Sequence, residues 1–392
     1  MRALGVVGFV VALLVSVMLH EGGHFLTAKR FGMKVTQFFV GFGPTLFSRR
    51  RGETEYGIKA VPAGGFVKII GMTPLEEIEP GDEPRAFYNK PAGQRAVVLA
   101  AGSFTHFLIA IALVFASLWL GGKVHSNDPV IQLGQCLTQP CQPGATTPAR
   151  QAGLLDGDRV LSFAGQPVST FDQLSALIRG GRAGQVQVQV QRGNEVLTKQ
   201  VTLVEAAGPD PKDPSRTVTT PKMGVGPKLS VENLGALGAA GATPGVIGQF
   251  VTGTADALAH FPQKISGVFS ANRDPTGAAG VVGISRVSGD VLAASDPLSL
   301  RIADLLLIVA SVNLFVGVFN LLPLLPLDGG HIAILAFEQG RDRLRRMRGY
   351  RGQLQRVDLN LLLPATYAVV AIFAVLTLVL ASADIVNPIR LR

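Results

Sequence analysis

Long apolar runs dominate both ends of the chain, and mixed or alternating patterns fill its middle. Four stretches, at 4–28, 96–121, 302–322 and 361–382, are apolar over about 20 residues each, enough for a helix to cross a hydrocarbon core. The first runs on past any small-residue cleavage site, so it is retained as a span rather than a removed leader. Within 38–70 the pattern is different. Short extended runs at Ile58-Lys59-Ala60-Val61 and Phe66-Val67-Lys68-Ile69 are punctuated by Pro62, Gly64 and Gly65, which predicts a β-hairpin-like loop at 55–70. Its apolar character predicts a loop that dips into the membrane, where irregular backbone is tolerated only against protein or water.

Between the second and third spans, residues 129–205 read as a small β-rich domain. Asp156-Gly157 and Gly165-Gln166 mark turns, Phe171 to Ile178 reads as a short helix, and Gln185 to Gln191 alternates strictly as an exposed strand. Ala206 to Pro221 is rich in Pro, Lys and Asp and reads as a linker. Val246 to Phe269 has apolar residues at helical spacing and predicts one amphipathic, interfacial helix, with His260 at its surface. Gly277 to Gly289 reads as a Gly-rich connector. Thr73 to Pro91 is acidic and reads as a cytoplasmic loop. The expected architecture is a multi-pass α-helical membrane protein of about four spans, with a membrane-associated β-hairpin and an extracytoplasmic β-rich domain. Its parts are 1–121, 122–205, 206–301 and 302–392.

The composition fits a mixed protein. Of 392 residues, 47% are hydrophobic and 16% charged, too apolar for an ordinary soluble enzyme and too polar for a chain lying wholly in lipid. The net charge is +9. It is concentrated where topology needs it: 25–95 carries 11 Lys and Arg, 335–360 carries 7, and 122–301 nearly balances 15 basic against 13 acidic residues. By the positive-inside tendency the first two segments face the cytoplasm and 122–301 faces outward. That distribution argues against a nucleic-acid partner. Arg exceeds Lys by 25 to 11, a composition of GC-rich bacterial genomes. Cys136 and Cys141 fall in the exterior segment, where a disulfide is favoured; the rival reading as metal ligands lacks a second ligand pair.

Chemistry enters where charge is most expensive. The first span runs into His20-Glu21-Gly22-Gly23-His24, an H-E-x-x-H pattern. On a helix the two imidazoles share one face and can bind one metal, with Glu21 beside them as a general base. The pattern arises by chance in soluble helices, but two histidines and a glutamate at membrane depth are costly without a function. The third span ends in Asn320-Leu321-Leu322-Pro323-Leu324-Leu325-Pro326-Leu327-Asp328-Gly329-Gly330-His331, where two prolines must break the helix. Asp328 supplies a third, oxygen ligand, and Asn320 an amide for an oxyanion or the substrate backbone. His106 in the second span reads as a hydrogen-bonded packing residue. Two histidines, one aspartate and an open position suit zinc.

Together these motifs resemble the site-2 protease family, the zinc intramembrane metalloproteases, in its bacterial form with a single PDZ domain. H-E-x-x-H is paired with N-x-x-P-x-x-P-L-D-G-G. The likeness extends to Gly41-Phe42-Gly43-Pro44, to the hairpin ending Pro62-Ala63-Gly64-Gly65-Phe66-Val67-Lys68, and to Ala152-Gly153-Leu154-Leu155-Asp156-Gly157-Asp158-Arg159-Val160, which is similar to the PDZ domains of bacterial proteases. The resemblance implies one Zn2+ per chain held by His20, His24 and Asp328, with Glu21 as base. It implies a hairpin edge, with Gly57, Ile58, Lys59, Phe66 and Val67, that receives the substrate. It also implies cleavage of single-span membrane proteins such as anti-sigma factors, after a first cut by a site-1 protease, in a bacterial cell membrane. The family carries an asparagine where this chain has His106, and His331 follows the ligand motif as a neighbouring or packing residue. Two rival readings stand beside it. A non-catalytic PDZ-bearing adaptor has no need of Glu21, and a zinc transporter needs ligands along a path rather than converging from two spans.

Overall fold

The computed structural model describes residues 1–72, 78–125, 127–137, 144–209, 217–270, 273, 277–294, 296–350 and 357–389. Part of the acidic stretch after Thr73, Cys141, Arg351 and Arg356 lie outside these residues. The chain forms two compact units, Met1–Gly121 with Gly235–Arg392, and Gly122–Leu234.

The first unit begins with helix α1 (Arg2–Arg30), strands β1 (Val35–Arg51) and β2 (Thr54–Ile69), and helix α2 (Ala92–Gly121). Gly32, at φ 67°, stops α1 by taking the left-handed conformation, and Lys29 and Arg30 sit favourably in its last turn. Both strands are long and irregular, so two elements make a sheet four segments wide. Phe38 faces Val67 on one side and Tyr56 on the other; Phe39 faces Phe66 and Gly57; Val40 faces Gly65 and Ile58. Gly57 and Ile58 in turn face Ser48 and Phe47. The segment order is therefore 45–51, 54–59, 35–40, 65–69.

This corrects the expected self-contained hairpin at 55–70: its two arms are separated by 35–40. Gly57 and Ile58 are paired on both sides and cannot take another strand, and Lys59 pairs with Thr45. Phe66 and Val67 lie in the outer segment, beside which no described strand runs on the far side. In the turn between the strands, Glu53 accepts two hydrogen bonds from Arg85, at 2.7 and 2.9 Å, and pairs with Lys29. The Arg85 guanidinium, with Lys29, holds the Glu53 carboxyl well below its usual value, at about 2. The turn is thereby tied to the end of α1.

The second unit contains β3 (Lys123–His125), β4 (Ile131–Leu133), α3 (Pro148–Gln151), β5 (Arg159–Phe163), β6 (Gln166–Pro167), α4 (Phe171–Gly180), β7 (Gly184–Arg192), β8 (Glu195–Pro209), β9 (Thr217–Lys222), β10 (Val225–Pro227) and β11 (Ser230–Glu232). A five-stranded sheet runs β6-β5-β7-β8-β9, and β4 pairs with β10 and β3 with β11. The strict alternation along β7 buries Val188 and Val190 against Leu174, Val201 and Met223, while the intervening glutamines point away. Buried Asp158 is held by Arg192 through two bonds of 2.8 Å. The predicted linker at 206–221 is partly strand: 204–209 pairs with β9, and the compact unit extends to Leu234 rather than 205.

The chain returns through α5 (Gly235–Ala259), α6 (Phe261–Ser266), α7 (Val281–Ala293), α8 (Leu298–Asn320), α9 (Asp328–Met347) and α10 (Leu363–Val386). The single helix expected at 246–269 starts earlier, at Gly235, and breaks at His260, where α6 begins. The expected connector at 277–289 is largely α7. Its glycines cost helix propensity, but tertiary contacts override it. Gly5 of α1 meets the backbone of Ser288 and Gly289 with no room for a Cβ, Arg2 pairs with Asp290 at 2.9 Å, and Asp384 of α10 accepts the Gly280 and Gly283 amides at the N-terminus of α7. Among the described residues four helical segments are long and apolar enough to cross a membrane: α1, α2, α8, and Asn360–Val386, which contains α10. The chain is a membrane protein with a β-rich unit.

Candidate metal centre

One turn of α1 separates His20 from His24, and both rings are buried where α1 packs on α2. Asp328 comes from the first turn of α9, after the chain has broken from helix at Asn320. Gly329 and Gly330 pack directly against the backbone of Leu321, Leu322 and Leu324, where any Cβ would collide. The two glycines therefore let the break fold back tightly enough to carry Asp328 to the histidines.

The Nε2 atoms of His20 and His24 lie 3.2 Å apart, and Asp328 Oδ2 lies 3.5 and 3.4 Å from them. Ligands bound tetrahedrally at the usual zinc distances of about 2.0–2.2 Å stand about 3.3–3.5 Å from one another. The three donors thus already have the spacing of a tetrahedral face. Asp328 Oδ2 is buried and completes no well-formed hydrogen bond. Such a group is costly unless a cation compensates it. His24 Nδ1 lies 2.7 Å from the Val98 carbonyl, so Nδ1–H donates there and Nε2 keeps its lone pair for the cluster. On α2, Gly102 lies against both imidazoles, and Gly23 of α1 lies against the Ala101 carbonyl and the Thr105 hydroxyl. These glycines allow the close helix approach that encloses the cluster.

Glu21 is half-buried on the side of α1 that faces the sheet. The Cβ direction of Gly65 points to within 3.5 Å of its Cγ, and the Val67 backbone lies within its hydrogen-bonding reach. The outer segment 65–69 therefore runs past Glu21, and Phe66 is anchored by stacking on Phe39 at 5.6 Å. Of the predicted hairpin residues, Phe66 and Val67 stand beside Glu21 at an edge with no further strand among the described residues, while Gly57, Ile58 and Lys59 do not. Asn320 closes α8 and is half-buried; no hydrogen bond among the described residues joins it to the cluster. His331 is half-buried one turn beyond Asp328. Cys136 is not free, and its expected partner Cys141 lies outside the described residues.

His106 is closer to the centre than a mere packing residue needs to be. Its ring stands 5.0 Å from that of His20, and its Nδ1 lies 2.8 Å from Asn313 Oδ1. Asn313 carried no expected role. Its signal in the sequence is an amide in the middle of the apolar third span, seven residues before Asn320, a position that is rarely idle.

Residues 8–363 match the profile of peptidase family M50. The chain belongs to this family. It is a site-2-type metalloendopeptidase. The zinc metalloprotease Rip1 of Mycobacterium tuberculosis is 38% identical, over 99% of this chain and 98% of its own length. Rip1 of Mycolicibacterium smegmatis is 34% identical, over 100% and 99%. A putative zinc metalloprotease of Rhizobium meliloti is 30% identical, over 86% and 87%.

Proposed function

We propose that the protein is an intramembrane zinc peptidase that cuts single-span membrane proteins within or beside their transmembrane segment. The observation that carries this reading is the His20–His24–Asp328 triangle, with Glu21 between it and a free sheet edge. His20, His24 and Asp328 would hold the zinc ion. Bound there, zinc would supply Lewis acidity for hydrolysis by an attacking water. Glu21 takes the proton of that water and delivers it to the leaving amine. Asn320 donates its amide hydrogen to the carbonyl oxygen as negative charge develops.

A transmembrane helix hides its peptide bonds in its own hydrogen bonds, so the substrate must unwind. Pairing with the outer segment 65–69, through the backbone around Phe66 and Val67, satisfies the freed groups and lays the extended chain beside Glu21. The β-rich unit, read as an extracytoplasmic PDZ domain with a Cys136–Cys141 bridge, filters substrates that still carry a bulky exterior domain. A site-1 protease removes that domain first. Anti-sigma factors in a bacterial cell membrane have the required form, and the active site then faces the cytoplasmic side, in keeping with the basic segments 25–95 and 335–360.

The test compares the wild type with Glu21→Gln in vesicles, on a tagged single-span substrate trimmed of its exterior domain, with zinc measured in both proteins. Cleavage by the wild type alone, with zinc retained in both, is expected. Equal cleavage by both removes Glu21 from the chemistry. Stable client binding without cleavage by the wild type favours the adaptor.

A further inference from the structure

The two histidines of the cluster are held unequally. His24 is oriented by its Nδ1–H on the Val98 carbonyl. His20 also turns Nε2 to the cluster, which leaves its Nδ1 to carry the hydrogen, yet that buried nitrogen completes no hydrogen bond. The Gly102 backbone packs against it without forming one of good geometry. A metal-binding imidazole almost always donates its second N–H to a fixed acceptor, which sets tautomer and ring orientation.

His106 offers that acceptor. Its ring plane lies 5.0 Å from that of His20 between centroids, inclined by 42°. Its tautomer follows from its neighbour. Asn313 Nδ2 donates to the Val309 carbonyl at 2.8 Å, which fixes the amide and turns Oδ1 to His106 Nδ1 at 2.8 Å. An amide oxygen only accepts, so His106 Nδ1 carries the hydrogen, and Nε2 of the neutral ring presents a lone pair. A buried donor without an acceptor thus lies beside an anchored ring that has an acceptor to give. We propose that His106, held by Asn313, is a positioning residue that takes the His20 Nδ1–H and sets the angle at which His20 presents Nε2 to zinc. The proposal rests on His20 being a zinc ligand.

The experiment measures zinc affinity of the full-length protein in detergent, by chelator competition, with cleavage as a second readout. His106→Leu is expected to weaken zinc binding by about 10–100-fold, the range for loss of such a partner. His106→Gln, whose amide oxygen takes the place of Nε2, stays within a few-fold of wild type. Ser103→Ala removes an unpartnered buried oxygen of α2 and leaves affinity unchanged. Melting of the zinc-free proteins shows whether each variant folds. If His106→Leu does not fold, Asn313→Ala decides, since it keeps the imidazole but frees its tautomer; it too should bind zinc about tenfold more weakly. Wild-type affinity in a folded His106→Leu or Asn313→Ala overturns the proposal, as does a loss with Ser103→Ala in its place. Failure of the wild type itself to bind zinc refutes the metal centre instead.

Discussion

A methyl group at Gly102 should weaken metal binding at least 100-fold without unfolding the protein. Gly102 is on α2, outside both sequence motifs. A Cβ there would stand 2.5 Å from His20 Cε1 and 2.7 Å from His20 Nδ1, and would also collide with His24 Nε2. Non-bonded carbon atoms prefer separations of about 3.5–4.0 Å, so the rings must retreat by about 1 Å. Metal–ligand distances tolerate errors of only about 0.2 Å. His24 cannot retreat freely, because its Nδ1 is held on the Val98 carbonyl. Gly102→Ala should therefore weaken zinc binding at least 100-fold, about 2.8 kcal/mol. The fold should lose about 1–3 kcal/mol from overpacking. Gly22→Ala is the control. It lies inside H-E-x-x-H, yet nothing stands within 4 Å of its Cβ position. It should keep wild-type zinc affinity and gain about 1 kcal/mol of helix stability. Chelator competition and thermal melting in detergent read both variants. Zinc affinity within twofold of wild type in Gly102→Ala, or its loss in Gly22→Ala, refutes the packing argument.

Three further outcomes are expected. Val67→Pro disrupts the backbone of the outer segment 65–69 and should reduce cleavage of a transmembrane substrate more than tenfold with zinc content unchanged; undiminished cleavage rules that segment out as the substrate strand. Glu53, with its folded pKa of about 2 against an ordinary 4.5, stabilises the hairpin turn fully above about pH 4.5, and that contribution is lost as pH falls towards 2. Melting of Glu53→Gln should be lower than wild type at pH 7 by the equivalent of about 1 kcal/mol and converge with it near pH 2; a constant difference across that window contradicts the pairing. Asp384→Ala strands the buried Arg273 guanidinium, which it meets at 2.7 Å, and should cost about 3–5 kcal/mol by melting; a loss below 1 kcal/mol means the pair is not buried as described.

Much of the membrane architecture was legible because a bilayer demands about 20 apolar residues per span, and α1, α2, α8 and the segment Asn360–Val386 announce themselves by length. The cluster was legible for a related reason: His20, His24 and Asp328 are ionisable groups in apolar surroundings, the i, i+4 spacing puts the two histidines on one helix face, and the break after Asn320 marks where Asp328 joins them. What could not be read locally depends on partners far away in sequence. Helix α7 forms from a Gly-rich stretch because Asp384, a hundred residues later, satisfies its first amides, and because Gly5 permits backbone contact. The sheet order separates 54–59 from 65–69 because 35–40 pairs with both, and periodicity along one segment does not report which neighbour it takes. β8 runs past the predicted linker boundary at 206 because Ala206 and Ala207 find Thr220 and Thr219 as partners. The role of Asn313 becomes visible only once α8 lies beside His106.

Hydrolysis of a peptide bond inside a membrane segment is assigned to the triangle of His20, His24 and Asp328 with Glu21. Its most direct test is to map the cut. Wild type and Glu21→Gln are reconstituted in vesicles with a single-span substrate lacking its exterior domain, and the product ends are read by mass spectrometry. New ends are expected within or beside the apolar segment, produced by the wild type, abolished by chelation and absent with Glu21→Gln. Cuts confined to soluble parts of the substrate, or identical ends with Glu21→Gln, would contradict it.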